Sequence, residues 1–200
     1  GASGSGKTFT ALKLAFGLGG KVAVIDTENG SADLYAHLGE YDTLQVQAPY
    51  APEKFTEAIR AAEAAGYATI IIDSLSHAWS GEGGVLEIKD NIGSSFQAWK
   101  TVTPRHNALV EAMLQSKCHV IATMRAKAEY SVSKNAQGKD APTKIGLAPI
   151  LRDGMEYEFT VFLDVSADHV ATASKDRTGL IDGNPVRNPD ERLGRKLLEW

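Results

Sequence analysis

The octapeptide Gly1-Ala2-Ser3-Gly4-Ser5-Gly6-Lys7-Thr8 restricts this chain more than any other feature, because its pattern suits one kind of backbone. It matches G-x-x-x-x-G-K-[ST] at every position. In that pattern glycines let the main chain wrap around a phosphate chain with successive N–H groups turned inward, while the following helix aims the positive end of its dipole at the same spot. Lys7 reaches the β- and γ-phosphates and Thr8 offers a hydroxyl to Mg²⁺. The competing reading, a Gly/Ser linker with an incidental lysine, does not explain why a helical pattern runs from Thr8 to Leu18 and stops at Gly19-Gly20. A loop of this kind normally follows a buried strand, so a strand upstream of Gly1 is expected and the ATP-binding core reads as N-terminally incomplete.

The remaining chain supplies an α/β pattern. Lys21 to Asp26, Ala68 to Asp73 and His119 to Thr123 are nearly continuous apolar runs, as expected of parallel strands covered on both faces. Helical patterns lie between them, with Pro52 to Ala65 and Pro104 to Gln115 each opening on a proline. Glu156 to Asp164 and Val170 to Ser174, separated by a short turn region at Ser166-Ala167-Asp168, read as an antiparallel hairpin at one edge. Arg187 to Trp200 reads as an amphipathic helix. The expected fold is therefore one core over residues 1–200, a largely parallel sheet flanked by helices.

Composition narrows the function. The 200 residues are 43% hydrophobic with a formal charge of −4, so the chain as a whole is no polycation. Any basic site must be local. Two stretches, Ser76 to Ser95 and Arg125 to Arg152, lack periodicity and read as long loops; the second carries a net +4. The lone cysteine, Cys118, excludes an internal disulfide and fits a reducing cytosol, and the five histidines show no metal-ligand spacing.

Three carboxylates converge on one edge of the expected sheet. Asp73 closes the run Ile70-Ile71-Ile72 and would hold the Mg²⁺ shell. Asp26 and Glu28 follow the strand after the phosphate loop, where Glu28 is placed to orient and deprotonate an attacking water, with Asp26 as the competitor.

With these elements the chain resembles the RecA-like branch of P-loop ATPases. From Gly1 to Trp200 it is similar to the Sak-type ATPases of phages and prophages. The segments carrying that likeness are Ile72 to Trp79, Val120 to Arg125, Arg152 to Phe159 and Ser174 to Gly179. The resemblance implies ATP and Mg²⁺ as cofactors, water activation by Glu28, and an oligomer, ring or filament, acting on single-stranded DNA in recombination or replication in the host cytoplasm. It also implies an annealing or single-strand-binding protein as partner. Lys175 and Arg177 resemble the Lys-x-Arg pair that related hexameric helicases insert into a neighbour's nucleotide site. By the same likeness the two long loops line a DNA channel, with Arg125, Lys127, Lys134, Lys139 and Lys144 for phosphates, Tyr130 for bases, and Trp79 in the first loop. One departure stands out: where RecA-type recombinases carry a polar amide that senses the γ-phosphate, this chain offers Thr123 or Arg125. Two other functions suit the same residues. One is a P-loop kinase with Arg125 to Arg152 as its lid, the other a nucleotide-switched binding module with little turnover.

Overall fold

An apolar run with no polar side is stable as a strand only when both of its faces are covered, and the chain answers that requirement by alternating strands with helices. The computed structural model describes residues 1–200 apart from Ser94, residues 135–139 and Asp182, and gives the main chain alone over 129–134 and 140–145. In chain order the elements are α1 (Lys7–Leu18), β1 (Val22–Asp26), a 3₁₀ helix (Ser31–Leu38), β2 (Asp42–Gln45), α2 (Pro52–Ala64), β3 (Thr69–Asp73) and α3 (Ser76–Ser80). They continue with α4 (Val85–Ile92), α5 (Phe96–Leu114), β4 (His119–Ala122), β5 (Ala126–Lys134), β6 (Asp140–Pro149) and a 3₁₀ turn (Met155–Tyr157). The last are β7 (Val161–Val165), β8 (Val170–Asp176), β9 (Val186–Arg187) and α6 (Glu191–Glu199).

The central sheet is parallel, four strands in the order β2-β1-β3-β4. Its two faces are separated by the alternation of side chains along each strand. Ile70 and Ile72 of β3, with Ile25 of β1, pack against Phe55 and Ile59 of α2 and Leu109 and Met113 of α5. Ile71, Val22 and Val24 point the other way, onto Leu12 and Ala15 of α1. All five residues of β3 are buried, which is why its sequence has no polar face.

The expected architecture is present: an α/β fold with a parallel sheet flanked by helices and a C-terminal antiparallel sheet. Several boundaries and two whole stretches differ from the sequence reading. β2 was not expected, because Asp-Thr-Leu-Gln at a fully exposed sheet edge carries no apolar signature. α5 does not start at Pro104 but at Phe96, and the proline lies inside it. The buried residues Ala98, Val102, His106, Leu109 and Met113 form one stripe that holds the helix together across the hydrogen bond the proline removes. Ser76 to Ser95 is not an irregular loop; it contains α3 and α4. Arg125 to Arg152 is largely a two-stranded antiparallel ribbon, β5 with β6, bulged between Glu129 and Tyr130. The C-terminal hairpin forms from β7 and β8, with β9 as a third strand, and is bonded as its own sheet.

Between β4 and β7 runs an apolar groove of about 470 Å³, floored by Leu14 and Leu18 of α1 and reached by Trp200. Gly1 lies at its end, its amino group 3.3 Å from the Met124 carbonyl. No helix among the described residues is long and apolar enough to cross a membrane.

α6 closes the far side of α1 through a contact only glycine permits. A Cβ built on Gly17 would sit 2.7 Å from the Gly194 Cα, and one on Gly194 2.8 Å from the Gly17 Cα, so the two backbones touch. Lys13 and Glu191 pair across the same crossing at 2.5 Å, and Leu193 packs with Leu14 and Ile181. Replacing Gly194→Val should therefore push α6 off α1 and lower stability by about 1–3 kcal/mol. Urea unfolding measures this, and an unchanged midpoint would show that the helices do not meet at these glycines.

Candidate nucleotide site

The phosphate loop takes its shape from two residues in the left-handed region, Gly4 at φ 75° and Gly6 at φ 84°. That region is open to glycine without steric penalty. A Cβ on Gly4 would meet nothing within 4 Å, so the loop's crest faces open space. Gly6 is the N-cap of α1 and provides no side-chain cap. The first N–H groups of α1 have no acceptor within their own helix and point at that space. Ser5 is fully buried and its hydroxyl has no hydrogen-bond partner among the described residues. Residues Gly1 to Gly6 thus form an open loop leading into the N-terminus of α1.

Lys7 folds back over the loop and donates to the Ala2 carbonyl at 2.7 Å. Burial lowers its pKa, with Asp73 and Glu28 acting in the opposite sense and Arg125 adding to the lowering. Thr8, on the first turn of α1, donates to Asp73 Oδ2 at 2.5 Å. The hydroxyl and the carboxylate expected to share a cation are therefore in contact, although α1 and β3 are far apart in sequence. Such a set suits Mg²⁺, which takes one or two protein oxygens and completes its shell with water and phosphate. Burial raises the pKa of Asp73, opposed by hydrogen bonds from Thr123 and Thr8.

β1 and β3 pair in register, Asp26 opposite Asp73, so the residues after both strands emerge side by side. Thr27 fastens the two ends. Its N–H donates to the Asp73 carbonyl at 2.8 Å, its hydroxyl accepts from the Ser74 N–H at 2.8 Å, and His77 Nδ1 lies 2.6 Å from that hydroxyl. His77 in turn stacks on Tyr50 with ring centroids 4.7 Å apart.

Asp26 and Glu28 differ in what each carboxylate touches. Asp26 is buried and accepts from the N–H groups of Glu28 at 2.5 Å and Ala32 at 3.0 Å, which shapes the turn into the 3₁₀ helix. Glu28 reaches the cleft. Its side chain is 24% exposed and accepts from Ser74 Oγ at 3.0 Å and, on both oxygens, from the Arg125 guanidinium. Burial alone would raise the Glu28 carboxyl, but the hydrogen bonds from Arg125 and Ser74 outweigh it and hold the pKa below the usual value.

Both residues considered in place of the missing amide are engaged. Thr123 donates to the second oxygen of Asp73, and Arg125 holds Glu28. The Arg125 side chain lies on Glu28 and is half-exposed. Its backbone does begin the ribbon: its N–H donates to Ser76 Oγ at 3.0 Å and its carbonyl accepts from Ile150 at 2.8 Å. Lys127 is exposed on β5, and the main chain places Tyr130 in register with Lys144 and Lys134 with Asp140. Lys139 lies outside the described residues. Trp79 is no free platform for bases, because it stacks on Trp99 at 6.1 Å and meets His106 edge-on at 5.5 Å inside the helical layer.

Lys175 and Arg177 sit apart from this centre. Both donate to the Tyr157 carbonyl, Lys175 at 2.5 Å and Arg177 at 3.3 Å, which holds the pair together on one face of the C-terminal sheet. The same sheet touches the phosphate loop at a point the sequence did not signal. His169, in the β7–β8 turn at φ 58°, has Nδ1 3.0 Å from the Ser5 carbonyl. Ser74, Thr27 and His77 were likewise not singled out as site residues; single polar residues beside a motif acquire meaning only from their neighbours. Among the described residues no group of three or more His, Cys, Asp and Glu could hold a metal by itself.

A phosphate cradle at a helix N-terminus, a hydroxyl–carboxylate pair for a cation and a third carboxylate on the same edge define a P-loop nucleotide-binding domain. The family described as an AAA domain matches residues 1–186, and the chain belongs to that family. Membership implies nucleotide binding and hydrolysis. Among curated proteins none matches the chain.

Lys7→Ala removes the ammonium that lies against the loop at the Ala2 carbonyl. Binding of an Mg²⁺–nucleoside triphosphate should weaken by at least about tenfold, the scale of one lost charge-assisted contact. Equilibrium titration with a fluorescent triphosphate checks it, and unchanged affinity would place the phosphates elsewhere.

Proposed function

We propose that the protein is an Mg²⁺-dependent ATPase of the RecA-like branch that assembles with copies of itself and acts on single-stranded DNA in phage recombination or replication. The observation that carries the enzymatic part is the contact between Thr8 and Asp73, with Glu28 on the same sheet edge. The loop amides and Lys7 hold the phosphates, while Thr8 and Asp73 hold Mg²⁺, which when bound neutralises charge on the β- and γ-phosphates. Glu28 takes the proton of a water as that water attacks the γ-phosphorus and the bond to the bridging oxygen breaks, leaving ADP and phosphate. Ser74 orients the carboxylate for this step.

Assembly enters through Lys175 and Arg177. In this reading they complete the site of a neighbouring subunit and meet the charge that builds on its γ-phosphate. The basic ribbon β5–β6, carrying Lys127, Tyr130, Lys134 and Lys144, is the surface for single-stranded DNA, with cations for phosphates and an aromatic ring for bases. An annealing or single-strand-binding protein acts on the same strand, in the host cytoplasm.

The test of the whole reading is phosphate release measured over a range of protein concentrations, with and without single-stranded DNA. Turnover should rise steeply with both; turnover indifferent to both would leave a self-contained P-loop enzyme, and phosphate appearing on an added acceptor would make it a kinase. Within that assay Glu28→Gln should bind ATP and lose about 10²-fold or more in kcat, the lower range for a general base. Hydrolysis at the normal rate would exclude Glu28 as that base. A trans-acting pair predicts a further result. Mixing a Lys175→Ala/Arg177→Ala variant with a Lys7→Ala variant should recover turnover that neither has alone, by roughly 10-fold or more given the weight such fingers carry. Strict absence of recovery argues that the pair does not work between subunits.

A further inference from the structure

The turn between β7 and β8 grips the phosphate loop from outside. At one end Gly1 lies against the end of β7, where a Cβ built on it would be 2.5 Å from the Val165 carbonyl oxygen. At the other end the His169 ring approaches the Ser5–Gly6 peptide, with Nδ1 3.0 Å from the Ser5 carbonyl. A Cβ on Gly6 would lie 3.0 Å from the same nitrogen, so a side chain there would crowd the ring. A carbonyl can only accept, which puts a proton on Nδ1.

The ring is presented from a fixed backbone. The His169 N–H donates to the Ser166 carbonyl at 3.0 Å, and the His169 carbonyl accepts from the N–H of Asn188, just after β9, at 2.8 Å. His169 itself takes φ 58°, left-handed backbone that a residue with a side chain enters at some cost and keeps only where its surroundings require it. Both of its main-chain groups are bonded within the C-terminal sheet, which meets that requirement.

The geometry of a peptide plane gives this contact its consequence. Ser5–Gly6 is trans, so its C=O and its N–H point in opposite directions. A Ser5 carbonyl drawn toward His169 therefore turns the Gly6 N–H away from the C-terminal sheet, and no group among the described residues accepts from it. Gly6 cannot maintain that orientation by itself. Turning the plane over changes ψ of Ser5 and φ of Gly6, and glycine accepts φ of either sign. The residue that lets the loop bend thus leaves this peptide free to flip unless its carbonyl is held.

We propose that His169 is a positioning residue of the nucleotide site, which clamps the Ser5 carbonyl and so keeps the Gly6 N–H turned toward the phosphate chain. It acts through the loop and touches no phosphate itself. This rests on the reading of Gly1 to Thr8 as the phosphate site.

The test compares two replacements that suit the turn equally and differ in the donor. Asparagine tolerates positive φ and keeps an N–H near the place of Nδ1; glycine tolerates positive φ and offers no donor. Wild type, His169→Asn, His169→Gly and Lys7→Ala are titrated with Mg²⁺–ADP, and each is unfolded in urea. His169→Gly should bind ADP about tenfold more weakly, the scale of one lost hydrogen bond to a charged group, while His169→Asn stays within about threefold of wild type. Glycine binding as tightly as wild type, or asparagine as weakly as glycine, would overturn the proposal. A loss in both variants that follows their urea midpoints would also overturn it, because the turn would then be merely structural. The ring gives a readout that needs no variant. In neutral imidazole its ¹⁵N shifts should place the proton on Nδ1, and a proton on Nε2 instead would overturn the clamp even if His169→Gly fails to fold. Lys7→Ala separates the two levels of the reading: weakened binding there with His169→Gly unaffected removes the clamp alone, whereas unchanged binding in Lys7→Ala removes the phosphate site and this inference with it.

Discussion

The functional edge of this protein depends on the parallel, in-register pairing of β1 with β3. Because Asp26 sits opposite Asp73, the residues that follow, Thr27-Glu28 and Ser74, leave the sheet together and can bond to one another. A slip of one residue would exchange the faces of Ile70, Ile71 and Ile72 between the two helical layers and carry Asp73 away from Thr8, so packing on both faces and the bonds at the strand end hold the register. Thr27 then adds local bonds at the strand ends, where the core cannot reach. The site inherits its precision from packing two layers below it.

Charge organises what the register brings together. Lys7, Arg125, Asp73 and Glu28 are mutually within electrostatic reach, yet the groups are not simply paired off. Glu28 has a cation, while Asp73 has two hydroxyl donors and, among the described residues, no ammonium or guanidinium hydrogen-bonded to it. This asymmetry sets the two carboxylates apart: one accepts from hydroxyls, the other from a guanidinium. Arg125 is also the residue where β4 hands over to the ribbon, through its bonds to Ser76 and Ile150. The nucleotide cleft and the basic ribbon thus share a residue.

The sequence reading succeeded where the signal was continuous and failed where it was relational. The strands β1 and β3 were legible because helices on both sides make them almost wholly apolar, and β4, though only half-buried, carries the same apolar run at Val120 to Ala122. β2 was not, because an edge strand with exposed side chains resembles a turn. The stretch from Ser76 to Ser95 looked like a loop because α3 and α4 are short and interrupted by glycines, and the ribbon looked like one because alternating Lys, Ala, Glu and Ser carries little apolar contrast. Pro104 misled for a simple reason: proline usually opens a helix, and here tertiary burial of the stripe from Ala98 to Met113 overrides that preference.

By itself the sequence determined that a phosphate cradle opens a helix, that an Asp ends a buried strand and that a basic segment stands apart from an acidic chain. These are local properties, set by glycine's conformational freedom, by apolar periodicity and by charge. Only the tertiary structure decided which carboxylate serves the turn and which serves the cleft, since Asp26 and Glu28 differ in their neighbours and not in their chemistry. It likewise took Trp79 into a stack with Trp99, placed His169 on the loop, and put Arg125 on Glu28. Each of those outcomes depends on contacts between residues distant in the chain, and a sequence records such contacts only after the chain has folded around them.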